Sequence, residues 1–169
     1  MNNLVIISPQ QPIISIALLK YHLRIAHDHE DTYLNNIIDI ATEILERELQ
    51  ESFLIKTFKY VYFTKINFSN IKIPVNNVKE IISVRSIPKN IDLPYSLFLD
   101  SNSISIKQMD CPVEIIYSAG LTNDINQIPK DFKLAVLQIA KSIYDNSEEN
   151  ILESKFIKNL IQYYKPLNL

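Results

Sequence analysis

The chain has 169 residues, 47% of them hydrophobic and 21% charged, with a formal charge of -2. That is the size and balance of one globular domain with a core of its own, and the slightly negative charge argues against a protein that grips nucleic acid through a concentrated basic face, although a fold can gather lysines that are distant in sequence. One glycine and one cysteine exclude a glycine-rich phosphate loop, a dinucleotide fingerprint, a disulfide framework and an all-cysteine metal site.

The opening MNNLVIISPQ has no basic segment, and its apolar run is too short for a signal peptide. No stretch approaches the ~20 apolar residues of a membrane span, so the expectation is a soluble protein made in the cytoplasm, with no membrane partner. Ser8 to Pro12 reads as an extended lead-in, with Pro9 and Pro12 barring a helix. Ser15 is placed to cap a short helix running to about Ile25, with Ile16, Leu19 and Leu23 on its inner face. His27 to His29 turns the chain into its most regular stretch, residues 28–50. There Tyr33, Leu34, Ile37, Ile38, Ala41, Ile44, Leu45 and Leu49 recur at steps of three and four, forming one stripe of an α-helix. Asp28 is expected as its N-cap, with Glu30 and Asp31 near the positive end of the helix dipole. Asn35, Asn36, Asp39, Glu43, Glu46, Arg47 and Gln50 make the solvated face.

After Gln50 the period changes. Lys56 to Phe63, KTFKYVYF, is aromatic and β-branched and reads as a strand. Phe58, Tyr60 and Tyr62 fall on one face, Val61 and Phe63 on the other. Shorter strands are expected at Ile71–Val75, Val78–Ile87, Leu97–Leu99 and Ser103–Lys107, punctuated by Pro74, Pro88 and Pro94, and a strong one at Val113–Ser118. Links of turn length favour antiparallel pairing. With one glycine available, the turns fall to Asn, Asp, Ser and the eight prolines. Helix returns with Pro129 at its first position, and Phe132, Ala135, Val136, Ile139, Ala140 and Ile143 form its apolar face. Ser147 to Asn150 breaks it. A last helix runs from about Ile151 to Tyr164, with Phe156, Ile157, Leu160 and Ile161 inward and Pro166 as its stop. The expected fold is α+β: a small helical bundle of two N-terminal and two C-terminal helices with an inserted antiparallel sheet. It is read as a single domain over 1–169, with helices at about 15–50 and 129–164 and the β insertion at about 55–118.

Residue chemistry presents no catalytic site and no cofactor. His22, His27 and His29 beside Asp28, Glu30 and Asp31 are the one cluster of metal-ligand types, but spacings of five and two do not stack imidazoles on one helical face. A small metal-dependent hydrolase built on these histidines is therefore the alternative to weigh, with a nucleic-acid-binding packaging accessory as a third reading. Ser118, followed by Ala119-Gly120, lacks the strand–turn–helix nucleophile elbow, and Glu114 points outward from its strand. Cys111 beside Pro112 reads as a half-buried small apolar residue. Tyr163, Tyr164, Lys165 and Leu167 read as an amphipathic patch able to anchor a partner or to pack back on the domain.

Three stretches, in order, resemble one family. The first holds Ser15, Lys20-Tyr21-His22-Leu23-Arg24, the acidic turn at Asp28, Glu30 and Asp31, the long helix, and Leu54-Ile55-Lys56-Thr57-Phe58. The second is Ile73-Pro74-Val75 with Val78, Ile81 and Val84. The third is Val113-Glu114-Ile115-Ile116-Tyr117-Ser118-Ala119-Gly120, then Ile128-Pro129 and the helix ending Tyr144-Asp145-Asn146. Together they are similar to the head–tail connector, or adaptor, proteins of long-tailed phages, prophages and gene transfer agents. Three departures stand out. Gln50-Glu51-Ser52-Phe53 lies where the family places a C-capping glycine, so a different helix exit is expected. Ser142-Ile143-Tyr144 and Ser147 replace a tryptophan and an arginine, and 88–111 matches little. The resemblance implies a structural protein and not an enzyme: a ring, usually of twelve copies, beneath the portal, extending the DNA channel towards the tail. The implied partners are other copies, the portal protein and a tail-side stopper or tail terminator, with DNA passing through unread. The implied place is the virion or particle, after synthesis in the host cytoplasm.

Overall fold

A computed structural model describes residues 3–8, 11–63, 70–87, 89–99, 101–106, 111–147 and 151–165. Four helices and two antiparallel sheets are present, so the α+β expectation holds. They form two compact units, one from residues 11–50 and 124–169, the other from 1–10 and 51–123. Among the described residues no helix is long and apolar enough to cross a membrane.

The helical unit holds α1 (Ile16–Leu23), α2 (Asp31–Leu49), α3 (Lys130–Tyr144) and α4 (Lys155–Tyr164). Ser15 caps α1 as expected, its Oγ accepting from the Leu18 amide at 3.2 Å. The stripe on α2 buries Leu34, Ile37, Ile38, Ala41, Leu45 and Leu49, together with Thr42, whose hydroxyl donates to the Ile38 carbonyl at 2.8 Å. These meet Phe132, Ala135, Val136, Leu137, Ile139 and Ala140 of α3. Each large aliphatic or aromatic side chain so buried contributes about 1.5–3 kcal/mol. Tyr33 and Ile44, counted in the stripe from sequence, lie at its rim; Tyr33 faces Tyr144, with ring centroids 6.4 Å apart.

Two expectations about α2 are corrected. Asp28 is not its N-cap. Glu30 holds that position without a side-chain cap bond, while Asp28 pairs with Lys20 of α1, whose Nζ also donates to Asp31 at 2.8 Å. The Lys20 ammonium takes up the Asp28 carboxylate in a charge-assisted bond, and the ion triad pins the α1–α2 turn instead. Nor does the helix exit differ from a glycine-type C-cap. Gln50 itself adopts the left-handed conformation, φ 53° and ψ 35°, and its amide donates back to Glu46 and Arg47. At the other end Pro129 sits one place earlier than expected, at the N-cap of α3. Helix α4 begins at Lys155 because Ser154 caps it, its Oγ accepting from Ile157 N at 3.4 Å; Ile151–Glu153 forms a separate 3-10 turn. Residues 148–150 of the expected break and the stop at Pro166 lie outside the described residues.

The sheet unit holds β1 (Asn3–Ile6), β2 (Lys56–Tyr62), β3 (Asn70–Lys72), β4 (Val78–Ser86), β5 (Ile91–Asp92), β6 (Tyr95–Phe98), β7 (Ser103–Ile106) and β8 (Val113–Ala119). Five strands run in the order β1-β2-β8-β4-β5 and three in the order β3-β7-β6, every pairing antiparallel. Alternate residues of both sheets, among them Phe58, Tyr60, Ile71, Val84, Ile104, Ile115 and Tyr117, share one apolar core. The Phe58 and Tyr117 rings stack at 5.4 Å. Strand β1 was not anticipated: the expected extended lead-in covers only Ser8 to Pro12, yet Asn3–Ile6 pairs with β2 from Asn3↔Val61 to Ile6↔Phe58. The expected end of β7 at Lys107, and Pro88, lie outside the described residues.

Asparagine does take over the turns. Asn77, Asn90, Asn102 and Asn146 all have positive φ, between 47° and 54°, the left-handed region that Asn tolerates best after glycine. Asn102 also donates from Nδ2 to the carbonyls of Ile73 and Val75, at 2.8 and 2.9 Å. The one glycine is kept for a place asparagine cannot fill. Gly120 has φ 145°, and a Cβ there would lie 2.4 Å from the Leu54 carbonyl oxygen. Around it Leu121 N donates to Ser52 O and Ile55 N to Thr122 O, each at 2.9 Å, closing a seam between 52–55 and 120–122.

Candidate assembly interface

Among the described residues no catalytic constellation converges, and the features that stand out are exposed apolar side chains. At the C-terminal end of the helical unit, α4 is amphipathic: Ile157 and Leu160 are buried, and the Glu153–Lys158 ion pair at 2.9 Å ties its first turn to the preceding 3-10 turn. Their mutual hydrogen bond holds the Glu153 carboxyl below, and the Lys158 ammonium above, its ordinary range. Tyr164 lies on Phe132 of α3 with centroids 4.6 Å apart, and Tyr163 meets Tyr164 edge-on at 4.9 Å. Phe132 is buried, so Tyr164 is anchored, whereas Tyr163 is 81% exposed.

Asp131, Phe156, Asn159, Leu160, Tyr163 and Tyr164 line a concavity of about 370 Å³. Its aromatic walls and single carboxylate suit a protruding side chain of a protein partner. No Ser, Thr, Cys or His lines it. Of the four residues singled out from sequence, Tyr163 and Tyr164 are brought together here, and Lys165 follows them, exposed, at the helix end. Leu167 lies outside the described residues. Asp131 and Asn159 were missed, since neither polarity nor period marks them; the approach of α3 to α4 does.

The histidines separate. His22 is half-buried on α1, while His27 and His29 are exposed with rings 5.6 Å apart. Their acidic neighbours Asp28 and Asp31 hold Lys20, which lowers the Asp28 carboxyl and raises the Lys20 ammonium through the same hydrogen bond. Among the described residues no three His, Cys, Asp or Glu side chains come together as a metal site. Cys111 is half-buried, its Sγ 3.2 Å from Ser86 Oγ. Glu114 pairs with Lys59 across the sheet. Tyr144 donates from its hydroxyl to Glu30 at 3.0 Å, a bond that raises its phenol and ties the C-terminal end of α3 to the turn before α2.

No curated protein matches the sequence. Solved structures that resemble the chain do so end to end. A chain from the neck of an empty gene transfer agent particle, computed with C6 symmetry, has a TM-score of 0.75 at 16% identity and covers 99% of this chain and 97% of its own. One from the virion of the native particle has a TM-score of 0.72 at 16% identity, with 98% and 96% covered. Another, from the native neck computed with C12 symmetry, has 0.68 at 17%, with 99% and 97% covered. These likenesses establish the fold. The family model described as phage gp6-like head-tail connector protein matches residues 13–97, half of the chain, from the last turn before α1 to β6. On that match, with the fold beside it, the chain belongs to the phage gp6-like head–tail connector family and is a structural connector subunit.

Proposed function

We propose that copies of this chain close into a ring, of twelve in the finished particle, that sits beneath the portal protein and passes DNA from head to tail. The observation that carries the reading is family membership over 13–97 combined with a fold that matches neck chains over nearly their full length. The whole chain is then one connector module, its helical and sheet units serving a single assembly. The tail-side partner is a stopper or tail terminator, and the ring resides in the virion or particle after synthesis in the host cytoplasm. The role is structural and not enzymatic. Nothing in the geometry favours the hydrolase built on His22, His27 and His29, or a DNA-gripping accessory: the net charge is -2, and gripping a phosphate backbone needs a concentration of cations.

The C-terminal aromatic patch is the partner contact within this reading. Tyr163 rests exposed on a ring that is itself anchored to Phe132, so an incoming side chain meets a stiff surface and loses little entropy in ordering it. Co-expression with the cognate portal, followed by negative-stain imaging, tests the function. A second tier of density with twelve-fold symmetry is the expected result; bare portal rings beside unbound protein would overturn it. Removing residues 166–169 together with Tyr163→Ala should abolish that tier, and unchanged portal binding would remove the patch from the interface.

A further inference from the structure

The two sheets have four outer edges: β1, β5, β3 and β6. Edge strands expose unpaired backbone donors and acceptors, and proteins that stay alone blunt them with charges, prolines or brevity. Strand β5 is two residues long and carries Asp92, paired with Arg85 at 2.7 Å; β3 carries Lys72. The other two are unguarded. Strand β1 reads NLVI and β6 reads YSLF, four residues each without a charge. Leu4, Val5 and Ile7 are 39%, 43% and 49% exposed, and Phe98 is 47% exposed.

The direction of the free groups on β1 follows from its ladder. Ile7 N donates to Thr57 O at 2.9 Å, and bonded positions alternate in an antiparallel pair. Asn3, Val5 and Ile7 therefore face β2, while the N–H and C=O of Leu4 and Ile6 point outward, where no described residue pairs with them.

Resting on the ring reading above, we propose that β1 of one copy pairs along β6 of the next, so that sheets join edge to edge around the ring. The occupant of the β1 edge is a second copy of this chain for two reasons. The chemistry an open edge recognises is another strand's backbone, and among the described residues one further uncharged edge of matching length is present. Moreover, β1 and β6 are different surfaces of one subunit, as a head-to-tail contact needs, and such contacts close into rings when the rotation permits.

The test uses the full chain assembled with its portal. Leu4→Pro removes an outward amide and spares the bonds to β2; Leu4→Lys keeps the amide and adds a charge to the edge. Both should keep the wild-type thermal midpoint and lower ring yield roughly tenfold or more, because one lost backbone hydrogen bond or one added edge charge recurs at every junction of the ring. In assembled rings carrying Leu4→Cys and Phe98→Cys together, a short bis-maleimide should give a ladder of covalent oligomers. Either substitution alone, with native Cys111 still present, should not. Normal rings from both Leu4 variants, or no ladder from the double-cysteine chain, would overturn the pairing while leaving the connector function intact. Normal rings that lose only a different neck protein would assign the edge to that protein and overturn the proposal as well. Failure of the wild-type chain to form any ring would overturn the ring reading and this inference with it.

Discussion

Replacing the one glycine with alanine, Gly120→Ala, puts the hardest test on the seam that closes the sheet unit. The added methyl would lie 2.4 Å from the Leu54 carbonyl oxygen and 2.7 Å from Ile55 Cα, and both obstacles are backbone. The Leu54 carbonyl cannot swing aside freely, because the buried Ser52 Oγ donates to it at 2.7 Å. Residues 52–55 are further laced to 121–122 by hydrogen bonds of 2.9 Å. Holding alanine at φ 145° costs about 1–3 kcal/mol of strain, and giving up two of the seam's hydrogen bonds costs about 1 kcal/mol each. The expected loss is therefore about 3–5 kcal/mol, against a total stability on the order of 5–15 kcal/mol, and a fall in melting temperature of about 10 °C or more. Denaturant titration followed by circular dichroism and tyrosine fluorescence reads it directly, since the chain has no tryptophan. Asn77→Gly, at φ 54° in the adjoining turn, is the comparison and should stay within about 1 kcal/mol of wild type. A Gly120→Ala protein as stable as the Asn77→Gly one would show that the seam yields, and the account of why glycine stands there would fail.

Gln50→Gly should stabilise the chain by about 0.5–1 kcal/mol, because relief of left-handed strain exceeds the entropy that glycine adds to the unfolded state; an unchanged or lower denaturation midpoint would contradict this. Tyr117 is buried on β8, and its hydroxyl has no hydrogen-bond partner among the described residues. Burial drives its phenol well above the ordinary range, an effect that the nearby Val75 backbone offsets only in part. Tyr117→Phe should therefore be neutral or stabilising by about 1 kcal/mol, whereas a loss of that size would reveal a partner. Asp28, lowered by Lys20, stabilises the α1–α2 turn above its ordinary 3.8 and ceases to do so as pH falls through its depressed value. Protection factors at that turn, which remove the intrinsic slowing of amide exchange in acid, should fall as pH drops in the wild type and depend less on pH in Lys20→Met; parallel profiles would remove the ion triad from the account.

Much of this architecture is written in periodicity. The α2 stripe, the alternation of β2 and β8, and the apolar face of α3 are long enough for one period to dominate, and each is found where its pattern places it. What escapes the reading is set by partners distant in sequence. Leu4 and Val5 become a strand only because Tyr60 and Lys59, more than fifty residues on, present a free edge to them. Asp28 has every local qualification for a cap and loses it to Lys20, eight residues earlier. Gln50 is a poor residue for a left-handed exit, and no local signal announces that it makes one. The candidate patch was legible by half: adjacent tyrosines mark a surface, but Asp131 and Asn159 enter it only because α3 and α4 converge. The connector resemblance was carried by short motifs spaced along the chain, which is the kind of signal a family model also integrates.

The Leu54–Thr122 bridge also bears on the order in which the chain folds. Helix α2 ends at Leu49 and its unit, which closes at Gln50, resumes at Asp124, with the 73 residues of 51–123 between them. Closing an excursion of that length unaided costs on the order of 4 kcal/mol of chain entropy. Once β2 and β8 pair and the bridge forms, the two ends of the excursion are already held side by side, and most of that cost has been met before α2 and α3 meet. Were the sheet to form first, the helical unit would fold as if its halves were near neighbours in sequence. A lesion at the seam such as Gly120→Ala should therefore slow folding of the helices as well as weaken the sheet.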